Sequence, residues 1–202
     1  MSEEPGEYKA GTNGPTIRAD SNLCAAQQRM VEGYLRHTAC EFVTQDVDTA
    51  VATMDGEPHV ILMPTLVGGI GREDCRRFYR ESFIFSMPAD VEFVPISRTV
   101  GTDTIVEESI LRFTHNEEVP WMLPGVAPTC RRVEVAVCTV VRMRNDKIAH
   151  EHVYWDQASV LAQIGLIDGA SLPVVGAESA RQLEAPDGPL NGLQTRKRGD
   201  PR

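Results

Sequence analysis

The spacing of apolar residues changes once along this chain, near residue 90, and that change restricts the folds open to it. Upstream, Leu23, Ala26, Met30, Tyr34 and Thr38 recur at helical spacing. Downstream, apolar and polar residues alternate through segments at about 91 to 100, 104 to 115, 130 to 144 and 147 to 155. Helices and strands gathered in separate blocks specify an α+β fold rather than an alternating βαβ one.

In the helical block, Ser21 or Asn22 is a suitable N-cap for a long amphipathic helix that runs to about Phe42. A shorter helix is expected from near Asp46 to Met54, until Gly56 and Pro58 break the pattern. His59 to Met63 reads as a strand, Pro64 as a turn, and Leu66 and Val67 as a short return strand ended by Gly68, Gly69 and Gly71. A third helix then carries Cys75, Phe78, Ser82 and Phe85 on one face. The glycines lack both GxGxxG spacing and a GK[ST] ending, so they read as turn residues and not as a phosphate cradle.

In the strand block, Gly101-Thr102-Asp103 and Asn145-Asp146 are hairpin connections, and the strands form an antiparallel meander. A last helix is expected from Asp156 to Ile164, capped by Gly165. Such a sheet, strongly bent around the long first helix, makes a cone-shaped α+β barrel whose hollow suits a small molecule. The folded part is expected over residues 21 to 170, with a disordered tail at 1 to 20 and an extended, mostly disordered tail at 171 to 202. The basic RKR in the latter reads as solvated charge.

The 202 residues are 42% hydrophobic, enough for one core. A net charge of -9 argues against partners held through phosphate, so nucleic acid is disfavoured. No apolar run is long enough to span a membrane, and the first 20 residues lack the pattern of a signal peptide, so a soluble cytoplasmic protein is expected. Cys24, Cys40, Cys75, Cys130 and Cys138 form no CxxC pair and are expected as reduced core residues. Cys75, beside Arg76 and Arg77, is the one with an electropositive setting.

Chemistry-bearing residues cluster late. Strand 104 to 115 places Ile105, Glu107, Ser109, Leu111, Phe113 and His115 on one face, so a carboxylate and an imidazole share it with Leu and Phe. The loop Asn116 to Thr129 carries Trp121, Met122 and three prolines. It is too apolar to be merely solvated and is expected to close a cavity or meet a second subunit. Strand 147 to 155 divides by alternation into Ile148, His150, His152, Tyr154 and Ala149, Glu151, Val153, Trp155. If the second set lines the cavity, Glu151 is a base raised toward neutrality by desolvation; if the first, the histidines are the candidates. His150 and His152 also suggest a metal, but their setting among long helices and the absence of cysteine pairs lead to an expectation of no metal and no cofactor. Asp156 has a structural role as N-cap.

The order of elements, together with Phe113-Thr-His115, Pro124-Gly-Val-Ala-Pro-Thr129 and Asp156-Gln-Ala-Ser-Val-Leu-Ala-Gln-Ile-Gly165, resembles the SnoaL-like polyketide cyclases of the nuclear transport factor two-like superfamily, over roughly residues 23 to 167. The resemblance implies an α+β cone, usually dimeric through its sheet and without cofactor. It also implies a catalytic histidine, matched by His115, and an aspartate in an E-H-W-D stretch. Counted back from Asp156, that stretch falls on His150-Glu151-His152-Val153, so valine replaces the aspartate and Glu151 lies two residues earlier on the same face.

The function expected is a cofactor-independent cyclase acting on a polyketide-type intermediate of secondary metabolism by enolisation and ring closure, through aldol or lactone chemistry. Glu151 or His115 removes the proton, the other polarises the carbonyl with His152 or Tyr154, and Glu107, Trp121 and Trp155 contact the substrate. A hydrolase, dehydratase or isomerase of the same fold, or a module that only binds a small molecule or a partner, is the alternative. The two apolar rows of strand 130 to 144 leave more sheet surface than one helical layer covers, hence an expected homodimer.

Overall fold

The structure, a computed structural model, describes residues 23–195. The expected tail at 1 to 20, the proposed caps Ser21 and Asn22, and the RKR stretch lie outside them. Helix α1 spans Ala25–Phe42 and begins after Cys24, whose backbone N–H donates to Gln27 Oε1 at 3.0 Å. A Cβ on Gly33 would stand 3.0 Å from the Asp146 carbonyl oxygen, so the bare backbone there lets α1 approach the turn between residues 144 and 147 closely. Helix α2 is Val47–Ala52, and α3, Arg72–Phe78, runs on into a π-turn at Tyr79–Phe83 and a 3-10 turn at Ile84–Ser86.

The strands are β1 Met54–Leu62, β2 Val67–Ile70, β3 Glu92–Val100, β4 Thr104–Thr114, β5 Arg132–Arg144 and β6 Lys147–Trp155. They form one curved, unclosed sheet in the order β2-β1-β6-β5-β4-β3. The four-strand meander stands as expected, with Asn145 and Asp146 both at positive φ in the β5–β6 hairpin. Three features depart from expectation, the first being that β1 starts at Met54 and runs through Gly56 and Pro58, the residues expected to break the pattern. β1 lies parallel to β6, because alternation reveals which face a strand buries and not which way its neighbour runs. Gly68 and Gly69 sit inside β2 instead of ending it, since α3 starts so close that a Cβ on Gly69 would stand 2.4 Å from the Asp74 carbonyl carbon.

The inner face of the sheet and α1 enclose the main core, with Met30, Tyr34, Ile105, Leu111, Phe113, Val133, Val135, Val137, Val141 and Ile148 all buried. The loop from 116 to 129 packs into this core. Val119, Trp121, Met122 and Leu123 are buried, and the Trp121 and Met122 carbonyls accept from Thr65 Oγ1 and Gln157 Nε2 at 2.9 and 2.8 Å. Asp156 caps α4, Gln157–Gln163, accepting from the Ala158 and Ser159 N–H groups.

Residues 171–195, expected as an extended tail, instead carry α5, Glu178–Glu184, and the short α6, Gly192–Thr195. Helix α5 lies on the outer face, where Ala180 is fully buried with Val94 and Ile110. Arg112 Nη2 bonds Glu184 Oε2 at 2.6 Å, and Ser159 Oγ donates to the Gly176 carbonyl at 2.7 Å. Part of the surplus apolar sheet that suggested a second copy is therefore covered by the chain itself. Of the cysteines, all free, Cys40 and Cys75 are buried, whereas Cys24 and Cys130 are exposed and Cys138 is half-buried, against the expectation of five core thiols. No described helix is long and apolar enough to cross a membrane.

Candidate active site

Helical spacing puts Tyr34, His37 and Glu41 on the buried side of α1, where polar groups persist only if partnered or used. Across from them, strand register stacks the inner face in rows. Ile105, Val141 and Glu151 form one row, Glu107, Thr139 and Val153 the next, and Ser109, Val137 and Trp155 a third. Glu151 thus faces inward, as one of the two alternation patterns requires, and it meets α1.

His37 organises the centre. Its Nδ1 lies 2.6 Å from Thr53 Oγ1, which itself donates to the Ala50 carbonyl, so Nδ1 carries a proton and donates to Thr53. Its Nε2 lies 3.0 Å from the Tyr79 hydroxyl, 3.2 Å from Glu41 Oε1 and 3.8 Å from Glu151 Oε2. The π-turn that begins at Tyr79 swings that phenol under the imidazole. Burial opposes a charge on His37, but the Glu41 and Glu151 carboxylates outweigh it and push its pKa up to about 10. Glu151 is raised from the ordinary carboxylate range by burial and by the Glu41 charge, with His37 acting against both. Tyr79 is raised by burial and by the same two carboxylates, so its hydroxyl stays a donor.

A second buried set adjoins the first. The Tyr34 hydroxyl donates to Glu107 Oε1 at 3.0 Å, Arg98 Nε donates to Glu107 Oε2 at 2.8 Å, and the Arg98 guanidinium lies 5.5 Å from the Tyr34 ring centre. A bulge between Pro95 and Ser97 turns Arg98 inward beside Glu107. Both Glu107 oxygens are thereby held by protein groups, so the carboxylate expected to contact substrate instead fixes Tyr34 and Arg98.

The remaining expected site residues divide. Trp121 and Trp155 are buried and meet edge to face at 6.2 Å, with Phe83 5.4 Å from Trp121. Trp155 Nε1 donates to Gln157 Oε1, whereas Trp121 Nε1 and Ser109 Oγ have no hydrogen-bond partner among the described residues. His115 is buried, with Nδ1 3.1 Å from Thr129 Oγ1 and Nε2 likewise unpartnered, and burial lowers its pKa.

His115 does not pair with Glu151. Its backbone N–H bonds the Arg131 carbonyl while Glu151 pairs with Val141, ten positions along the β5 side, roughly 33 Å of extended chain. His152 and Tyr154, expected beside Glu151, instead lie on the outer face with His150. A register shift near Ala149 puts Ile148 inside with Glu151, which strict alternation had grouped with the histidines. Burial raises the Cys75 thiol to about 11, which leaves it unactivated.

Among the described residues, His37, Glu41 and Glu151 are the group whose ligand atoms all lie within 4.8 Å of one another, close enough for one metal ion. Their mutual bonds already account for the imidazole protons, and the arrangement is a proton-sharing network: one imidazolium between two carboxylates, with a phenol donor beside it.

A curved, unclosed sheet wrapped on a long helix, with polar residues gathered inside, is the architecture of the nuclear transport factor two-like fold. The SnoaL-like polyketide cyclase family model matches residues 34–164, and the chain belongs to that family, which includes polyketide cyclases. No curated protein matches the sequence. Among solved structures, a candidate SnoaL-like polyketide cyclase from Jannaschia sp. CCS1 is similar with a TM-score of 0.61 and 20% identity, covering 73% of this chain and 99% of that one. TsrD from Streptomyces laurentii gives 0.54 and 18%, over 72% and 100% of the two chains. AclR from Streptomyces galilaeus, named as a candidate hydroxylase, gives 0.54 and 14%, over 70% and 87%. At these identities the likeness is one of fold.

Proposed function

We propose that this chain is a cofactor-independent enzyme that enolises a polyketide-type carbonyl compound and lets it close a ring, with Glu151 as the base. The observation that carries the reading is the buried network of His37, Glu41, Glu151 and Tyr79 facing the inner sheet. Desolvation raises Glu151, which brings its basicity nearer to that of a carbon acid flanked by carbonyls than an exposed carboxylate would be. Glu151 takes a proton from that carbon, leaving an enolate. The enolate carbon bonds to a second carbonyl carbon of the same molecule, and the new alkoxide takes the proton back from Glu151. Nothing is oxidised or reduced. His37, kept charged, limits the rise of Glu151 and offsets the negative charge that passes through the site.

Two further donors support the reading. Ser109 Oγ and Trp121 Nε1 are buried without partners among the described residues, and both belong to the level of Trp155, four residues from Glu151 along β6, or about 13 Å. They would hold a carbonyl or hydroxyl at the far end of an elongated substrate, beside the packed rings of Trp121, Trp155 and Phe83.

Proton exchange provides a test without the native substrate. In D2O, the methylene protons of an aryl 1,3-diketone should exchange faster with enzyme than without, followed by NMR. Glu151→Gln should lower that acceleration by on the order of a hundredfold or more. Diketone binding with no accelerated exchange would instead favour a module that only holds its ligand.

A further inference from the structure

On the outer face of the sheet a second cluster stands apart from this chemistry. The parallel β1–β6 register brings His59 beside His150, and His152 follows two residues later on the same face. The rings of His150 and His152 stack with centres 4.4 Å apart, and His150 also stacks on His59 at 4.9 Å. The Nε2 atoms of His59 and His152 converge to 3.0 Å. All three side chains are half-buried.

Burial disfavours a charge on His59 and on His150. Burial and then the neighbouring His152 lower His59, and burial followed by the two other imidazoles lowers His150 to about 4. The nearby cations are each answered by a carboxylate: Arg142 by Asp103 at 2.6 Å and Arg144 by Asp55 at 3.0 Å. A single proton can bridge the two facing nitrogens, but so can an electron-pair acceptor.

We propose that His59 and His152 chelate one divalent transition-metal ion on the outer face, with water completing the coordination and His150 holding the two rings in place by stacking. Two imidazole donors suit copper, nickel or zinc and not magnesium or calcium. The separation narrows the choice. With metal–nitrogen bonds of about 2.0–2.1 Å, nitrogens 3.0 Å apart subtend about 94° at the ion, near the right angle of tetragonal coordination and short of the tetrahedral angle. Square-planar and tetragonal sites are those of Cu2+ and Ni2+. The ion would sit on the opposite side of β6 from Glu151, so the site is independent of the proposed catalysis.

The test uses the full chain without an affinity tag, washed with chelator and titrated calorimetrically with CuCl2, NiCl2 and ZnCl2 in turn. One equivalent of Cu2+ and of Ni2+ should bind more tightly than Zn2+, and the Cu2+ resonance spectrum should show nitrogen coupling from two imidazoles. His59→Ala and His152→Ala should each weaken binding by about tenfold or more, whereas His150→Phe, which keeps the stack, should change it by less. Circular dichroism checks that the variants are folded. The proposal falls if the wild-type chain binds no stoichiometric Cu2+ or Ni2+, if both alanine variants keep wild-type affinity, or if His150→Phe weakens it tenfold.

Discussion

His37 on α1 and Glu151 on β6 face each other at 3.8 Å inside the cone, 114 positions apart in sequence, and Glu41 approaches the same imidazole nitrogen at 3.2 Å. One cation is thus set between two buried carboxylates. Removing it leaves both uncompensated where water cannot reach, and breaking a buried ion pair from one side costs about 3–5 kcal/mol. His37→Leu is therefore expected to lose stability on that scale in urea unfolding. The double variant His37→Leu/Glu41→Leu should recover part of the loss, since one stranded charge goes with it.

The same network sets a pH dependence. His37 holds its proton up to about 10 in the folded chain, against about 6.5 when unfolded. Between those values the folded state binds more protons, so the stabilisation is fully present below about 6.5 and is lost as pH rises through about 10. Glu151, also raised, acts in the same direction from the ordinary carboxylate range upward. Unfolding free energy should thus fall from neutral pH toward 10, with His37 contributing at most about 1.4 kcal/mol per pH unit. Urea titrations across that range check it, and His37→Leu should flatten the slope.

The outer helix supports a separate expectation. Ala180 of α5 is fully buried against Val94 and Ile110, and a carboxylate there would have no partner. Ala180→Asp is expected to undock α5 rather than unfold the cone, so the loss is capped at the docking energy of one short helix. Limited proteolysis should cut between residues 171 and 184 in the variant and spare the segment in the wild type. Equal protection in both would count against the packing.

Residues that alternate along a strand were legible in the sequence. The meander, the Asp156 cap and the two possible faces of strand 147 to 155 all follow from period two, and the structure selects the face with Glu151. His37 and Glu41 do not stand out on an apolar stripe through Met30, Tyr34 and Thr38, because the buried side of α1 runs through Met30, Gly33, Tyr34, His37, Cys40 and Glu41. Two ionisable residues four apart on that stripe are the signal that could have revealed them. Arg98 was hidden by a bulge, which shifts inward-facing positions by one in a way that no alternation pattern records. A shared inner face does not bring His115 to Glu151, because position along the strands, set by register, keeps them far apart.

Ser109 separates stability from ligand binding. Its hydroxyl lies buried on the inner face with no hydrogen-bond partner among the described residues, in the row shared with Val137 and Trp155. A buried polar group left unpaired costs about 1–3 kcal/mol, so Ser109→Ala is expected to leave the free protein as stable or up to that much more stable. If the hydroxyl serves to hold a substrate oxygen, the same change should weaken binding of a diketone probe several-fold while proton exchange at saturating probe stays near wild type, because Glu151 is untouched. Thermal unfolding and probe titration followed by tryptophan fluorescence read the two effects, with Trp121 and Trp155 as the reporters. A variant that loses stability and binds the probe unchanged would show that the Ser109 hydroxyl serves the fold and not the ligand.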